Sequence, residues 1–291
     1  MDVWIAVLLT IVTAATPLLL AAIGELVVER SGVLNLGVEG MMVMGAVAGF
    51  GAAFLTGSPY VGVIAAVIAG MAMALLFGFL TLTLVSNQVA TGLSLTLLGI
   101  GLSGLLGESF VGEPGVKLPK IFGIDMLVPF SFVLTAAVAY VLFRSKAGLV
   151  IRAVGDSHGS AHALGYPVIR VRYLCVLFGG GCAGLAGSYL SLVYTPQWVE
   201  NMTAGRGWIA LALVVFASWM PWRVVAGAYL FGAISILSFV GQTRAWAVPS
   251  QFLNSLPYLV TILALVVISA NRRLTRTNAP ASLGQAFVPD R

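Results

Sequence analysis

The sequence predicts an all-α, polytopic transmembrane helical bundle of about nine spans, with eight to ten compatible with the windows available. Three observations predict it. Of 291 residues, 59% are hydrophobic and 9% charged, against about 25% charged in ordinary soluble domains. The stretch from Ser31 to Gly107 carries Glu39 as its single charged side chain, a run that no soluble core could bury but three bilayer crossings can. No period-2 alternation suggests a barrel, and a helix alone satisfies its own backbone hydrogen bonds in lipid.

The first span is read from Val3 to Gly24. It is not read as a signal peptide, because Asp2 stands where a basic region belongs and no small-residue cleavage site follows a short core. The Ser31–Gly107 stretch divides into three spans at Gly57-Ser58-Pro59 and Ser86-Asn87-Gln88, both of turn composition. Further charge-free windows run from Met126 to Phe143, Tyr173 to Val199, Gly207 to Trp222, Val224 to Thr243 and Ala245 to Asn271. The Gly207–Trp222 window is short and holds Pro221, which also fits a half-helix or re-entrant segment. The whole chain, 1–291, reads as one transmembrane domain with a polar loop at 144–172 and a tail at 272–291.

Basic residues set the orientation, because basic loops are retained on the cytoplasmic side. The loop holds Arg144, Lys146, Arg152, Arg170 and Arg172 against one acid, Asp156. Arg272, Arg273 and Arg276 follow the last window, so loop and C-terminus are both expected in the cytoplasm of a multi-pass inner (plasma) membrane protein. The 108–125 segment mixes both signs and reads as external. Cys175 and Cys182 lie on one expected helix about 10 Å apart along its axis, too far for a disulfide. They are read as packing residues. The net charge of +5 is assigned to loops near anionic headgroups and gives no case for nucleic acid.

Within the polar loop, residues 155–167 read as a short helix with its own punctuation. Asp156 is expected to cap its start, Ala161 and Ala163 favour helix, and Gly165 then Pro167 end it. Such a segment is either a rigid cytosolic knob or a solvated connection between spans. His158 and His162 have metal-ligand spacing, but too few further ligands stand nearby for a site, and they are read as facing a partner. No G-x-x-x-x-G-K-[ST] phosphate loop is present, so if this chain takes part in ATP-driven transport, a separate chain must supply the ATPase. No cofactor or metal is expected, and no convergent nucleophile, base or ligand set suggests catalysis.

Three segments carry a resemblance. Ala147-Gly148-Leu149-Val150-Ile151-Arg152-Ala153-Val154-Gly155-Asp156, continued by Ala163-Leu164-Gly165 and Arg170-Val171-Arg172-Tyr173-Leu174, resembles the coupling loop of ABC importer permeases of the branched-chain amino acid and simple sugar superfamily. The 24–42 segment, GELVVERSGVLNLGVEGMM, and the 200–212 segment, ENMTAGRGWIALA, resemble signatures of its nucleoside-type branch, as does Pro280-Ala281-Ser282-Leu283-Gly284. The resemblance implies a permease subunit that pairs with a second homologous permease, cytoplasmic ATP-binding subunits and an extracytoplasmic substrate-binding lipoprotein. It implies ATPase coupling through Arg152, Gly155, Asp156, His158, His162, Ala163 and Gly165. Ser157-His158-Gly159-Ser160 departs from the proline and charged residues of that pattern.

Glu39 stands out within the membrane windows. A carboxylate at mid-bilayer costs about 2.5–3.5 kcal/mol on insertion scales, so it should face the bundle interior or a wet pathway. It reads equally as a structural partner for a helix end or a group such as Asn35. A nucleoside offers hydroxyls and base edges, which Asn35, Glu39, Gln88 and Thr91 can meet by hydrogen bonding. Asn201, placed with the substrate pathway, begins an external entrance segment that reads as a gate or docking edge for the binding protein, or as a simple capping turn. Simple sugars, purine bases and branched-chain amino acids are alternative cargoes. A secondary transporter or channel is the alternative class, for which a single buried acid is thin support.

Overall fold

The computed structural model describes residues 3–121, 123–243 and 278–289, together with 248, 249, 251–253, 255, 256, 259, 260, 262, 263 and 266. Helix α1 spans Val3–Arg30. It continues past the charge-free window, so Glu25, Glu29 and Arg30 sit in its last two turns and are buried. Partners on distant segments make this possible. Trp219 Nε1 donates to Glu29 at 2.5 Å, Asn35 Nδ2 faces Glu25 at 3.4 Å, and the Arg30 guanidinium donates to the Trp219 carbonyl at 2.9 Å.

Helix α2 (Val38–Thr56) ends at Gly57, whose φ of 70° closes the turn before Pro59 opens α3 (Pro59–Gly78). A π-helical turn carries α3 on to Thr83. Asn87 caps α4 (Gln88–Gly107), its side chain accepting from Ala90 N at 3.0 Å. Both breaks expected in this stretch are therefore helix boundaries, and the three expected spans are helices long and apolar enough to cross a membrane. A two-residue hairpin, β1 (Lys120–Ile121) against β2 (Ile124–Asp125), precedes α5 (Leu127–Arg144). The polar loop then folds into α6 (Lys146–Asp156) and α7 (His158–Ala163). Helix α8 (Val168–Tyr189) runs into a second π turn ending at Tyr194. Helices α9 (Arg206–Phe216) and α10 (Pro221–Thr243) follow.

Among the described residues, 7 helices are long and apolar enough to cross a membrane. Two windows separate this number from the nine expected. Gly207–Trp222 folds as α9, whose 11 residues reach about 16 Å, roughly half the hydrocarbon thickness. Ala245–Asn271 falls largely outside the described residues, as do Arg272, Arg273 and Arg276.

Helices α2 and α8 form the centre, with 72% and 78% of their spans buried, against 28% for α4. Small residues allow their close approach. A Cβ on Gly184 would stand 2.1 Å from the Ala66 carbonyl oxygen, and one on Gly187 would stand 2.0 Å from that of Met42. Gly45 meets the Gly184 backbone in the same way, at the crossing of α2 and α8.

The crossing between α8 and α10 is built in two parts. Trp198 packs with Phe50 and Phe110 near the C-terminal half of α2, whereas Trp219 bonds Glu29 and Arg30 at the end of α1. The chain thus passes from one end of the bundle to the other, and only its second part is helical. A left-handed pair, Ser218 (φ 49°) and Trp219 (φ 54°), turns it into α10. The end of α1, the α6–α7 loop and the tail residues 278–288 share one end of the bundle.

Candidate functional site

The site is organised by a helix start inside the bundle. At the N-terminus of α9 the capping position is Gly205, in the left-handed region at φ 81°, which supplies no side chain for the free N–H groups of the first turn. Glu39, from the first turn of α2, supplies the acceptor instead. Its Oε1 accepts from Thr203 Oγ1 at 2.5 Å and Gly205 N at 2.7 Å, and its Oε2 accepts from Gly207 N at 2.6 Å. A carboxylate at a helix N-terminus is favoured by both the free donors and the helix dipole. This explains how a residue 1% exposed retains a charged-type side chain without a cation beside it. Gly207 is required here, since a Cβ on it would stand 2.6 Å from Glu39 Cα.

The preceding turn is strained. Asn201 and Ala204 adopt φ values of 53° and 48°, a region that L-residues seldom occupy and that clusters at functional sites. Arg206 folds back, its Nη1 donating to the Met202 carbonyl at 2.9 Å while its guanidinium lies over Tyr194. Its charge is therefore held by the turn.

Against this cap lies a cavity of about 530 Å³ lined by Glu39, Ile100, Asn201, Ala204, Gly205, Trp208, Ile209 and Ala212. Its walls combine an indole 45% exposed, aliphatic groups, a carboxylate edge and an amide. That set suits a small solute with a flat or ring-shaped face and hydrogen-bonding edges. A second cavity of about 260 Å³, between α1, α5, α6 and α8, has aliphatic and aromatic walls and offers little to orient a polar solute.

Of the five expected pathway residues, the fold brings Glu39 and Asn201 to one cavity. Asn35 and Gln88 are used elsewhere. Asn35 accepts from Gly37 N at 3.0 Å, and Gln88 Oε1 accepts from Leu34 N at 2.8 Å, so both hold the turn between α1 and α2. Thr91 bonds Ser86 at 2.8 Å beside the start of α4. Trp208 and Ile100 were not singled out in the sequence. Trp208 sits one residue after the glycine that Glu39 caps, and that placement is visible only once α9 is known to begin inside the bundle.

At the other candidate region the punctuation differs from expectation by one residue. Ser157, not Asp156, caps α7, its hydroxyl accepting from Ser160 N at 3.3 Å, while Asp156 is the last residue of α6. A serine can cap two helices in contact, because its backbone also closes α6 through Ser157 N donating to Ala153 O at 2.9 Å. Gly165, at φ 86°, ends α7, with Tyr166 N bonding back to Ala161 O at 3.1 Å. Ala163, Leu164 and Tyr166 are exposed at the tip. Gly155 presses on the end of α1, where a Cβ would stand 2.1 Å from the Arg30 carbonyl oxygen. Arg152 and Arg30 both lie over the Phe143 ring, at 5.3 and 5.6 Å from its centroid.

The two histidines, expected to face a partner, both lie against Phe287 of this chain's own tail, with ring centroids 5.2 and 5.3 Å away. His158 Nδ1 also stands 3.4 Å from Nη2 of Arg172. Among the described residues no group of three or more His, Cys, Asp or Glu is placed to hold a metal ion.

Comparison with known proteins adds the following. The pattern defining the family described as branched-chain amino acid transport system / permease component matches residues 7–269. The chain is 41% identical to the "Putative glucose ABC transporter permease protein" of Haloferax volcanii, over 95% of each chain. It is 29% identical to the guanosine ABC transporter permease protein of Bacillus subtilis, over 94% of this chain and 93% of that one. It is 28% identical to the nucleoside ABC transporter permease protein of Lactococcus lactis, over 94% of both.

Proposed function

This chain belongs to the branched-chain amino acid transport system permease family, and on that premise we propose that it is the membrane subunit of an ATP-driven nucleoside importer. It is an ABC transporter permease subunit, a multi-pass transport component rather than an enzyme. The observation that carries the permeation reading is the interrupted segment between α8 and α10: a short helix starts inside the bundle under the Glu39 cap, and its first turn borders the 530 Å³ cavity. Transporters use such broken helices to present backbone and side-chain dipoles to a solute.

In this reading Trp208 stacks on the base or sugar face, Asn201 meets hydroxyls and ring nitrogens, and Glu39 lines the cavity while holding the turn that carries them. The pathway is completed by a second homologous permease. The basic end, with Arg144, Lys146, Arg152 and Arg170, faces the cytoplasm, and so does the C-terminus. There the α7 tip enters an ATP-binding subunit, and an extracytoplasmic substrate-binding lipoprotein delivers solute to the opposite face.

A monosaccharide is the second reading, favoured by the 41% identity to the Haloferax volcanii protein. One experiment separates the two. Uptake of labelled guanosine, adenosine and glucose is measured in cells lacking this permease and again after its restoration. Restoration of nucleoside uptake that excess glucose does not inhibit supports the nucleoside reading. Restoration of glucose uptake alone replaces it with the sugar reading.

A further inference from the structure

Resting on the reading of α7 as the ATPase contact, we propose that tail residues 278–288 form a strut that makes the α6–α7 loop and the α1–α2 turn move as one body. The tail is bonded to three separate elements. Asn278 O accepts from Arg30 Nη1 at 3.0 Å at the end of α1. Ser282 satisfies a carbonyl in the last turn of α6 twice, its N donating to Gly155 O at 2.9 Å and its Oγ at 2.5 Å. Gly284 N donates to Gly32 O at 3.1 Å in the turn after α1. Gln285 O accepts from Arg172 Nη1 at 3.0 Å at the start of α8.

Arg172 is the hub. It is 1% exposed, and its Nε donates to Ser31 O at 3.1 Å while Nη1 holds the tail and Nη2 faces His158. Phe287 then closes the small cluster of Val154, Ala161 and Val168, which joins α6, α7 and the first residue of α8. A segment that merely trailed from a last helix would not satisfy the end of α6 or occupy an otherwise buried guanidinium.

The strut gives the knob a mechanical connection to the solute cavity. The tail holds Gly32, Arg172 holds Ser31, Asn35 orders the same turn, and that turn leads directly into α2 and Glu39, which caps α9 beside the cavity. Displacement of α7 by an ATPase would therefore carry the α1–α2 turn with it. Arg172 and Ser282 are positioning residues in this arrangement.

The test uses the full importer, with its ATP-binding subunits and binding protein, in proteoliposomes. Three forms are compared: the whole chain, a chain ended after Thr277, and a full-length His158→Cys, Phe287→Cys form joined by a short bifunctional maleimide. Cys175 and Cys182 are buried and do not compete for the reagent. Ending the chain after Thr277 is expected to lower solute moved per ATP hydrolysed by about tenfold, an ordinary coupling between sites, while ATP hydrolysis persists. The joined form is expected to transport as well as its unjoined parent. Unchanged transport per ATP in the shortened chain overturns the proposal, and so does a block on joining, which would mean that the tail must let go. Should the shortened chain fail to accumulate, Ser282→Ala and the joined form decide on the same readout. Failure of the unmodified importer to couple at all would instead count against the functional reading on which the strut rests.

Discussion

At the scale of single residues, Glu39 is where stability and the proposed permeation role meet. Each hydrogen bond from a backbone donor to a charged acceptor contributes about 1.5–3 kcal/mol when buried. In Glu39→Gln one of the acceptor atoms becomes a donor that faces either Gly207 N or the Thr203–Gly205 pair. The substitution is expected to destabilise the protein by on the order of 2 kcal/mol and to lower uptake as well. Asn201→Gly, at the exposed rim of the same cavity, removes the amide while tolerating the φ of 53°; it is expected to raise the KM for uptake and to shift the melting temperature of the detergent-solubilised protein much less than Glu39→Gln does. Melting curves and uptake kinetics of both variants check the contrast. His158 supplies a pH test. A guanidinium has only donors, so the imidazole accepts from Arg172 through Nδ1 and is neutral in that contact. Partial burial first, and the Arg172 charge second, hold its pKa below the ordinary imidazole value. The unfolded chain therefore binds the proton at higher pH than the folded one, and stability is lost as pH falls below the ordinary imidazole range near 6.5. His158→Gln keeps an acceptor for Arg172 and does not titrate. Its melting temperature is expected to fall less than that of wild type between about pH 7.5 and 5.5.

At the scale of elements, glycines divide into those that admit a neighbour and those that do not. Gly184→Ala must push α3 away from α8, because the added carbon meets the Ala66 carbonyl. Overpacking of this kind costs about 1–3 kcal/mol, so a reduced yield of monodisperse protein on size-exclusion chromatography is expected. Gly159→Ala, inside α7 with open space around it, is expected to be neutral or to stabilise by up to about 1 kcal/mol through helix propensity. The same elements show how much was legible in advance. Gly57-Ser58-Pro59 and Asn87 marked helix ends because turn geometry and capping are local chemistry. The extension of α1 through Glu25, Glu29 and Arg30 was not legible, since its justification lies in Trp219, far along the chain. The start of α9 was hidden for the same reason. Its cap is the side chain of Glu39 on another helix, so no capping residue stands in the local sequence.

At the scale of the whole molecule, hydropathy defined the class and most crossings, while charge marked the end at which α6, α7 and the tail gather. It could not show that Pro280-Ala281-Ser282-Leu283-Gly284 folds back onto that loop, because polar tail residues look alike whether they hang free or bridge three elements. The central claim is that α7 is a cytoplasmic handle gripped by a separate ATP-hydrolysing subunit. It is tested most directly by labelling Ser160→Cys with a membrane-impermeant maleimide, since Ser160 is exposed on α7 and the native cysteines are buried. Labelling is predicted in inside-out vesicles, with protection when the ATP-binding subunit is co-assembled. Labelling from the outer face of intact cells, or equal labelling with and without that subunit, would contradict it.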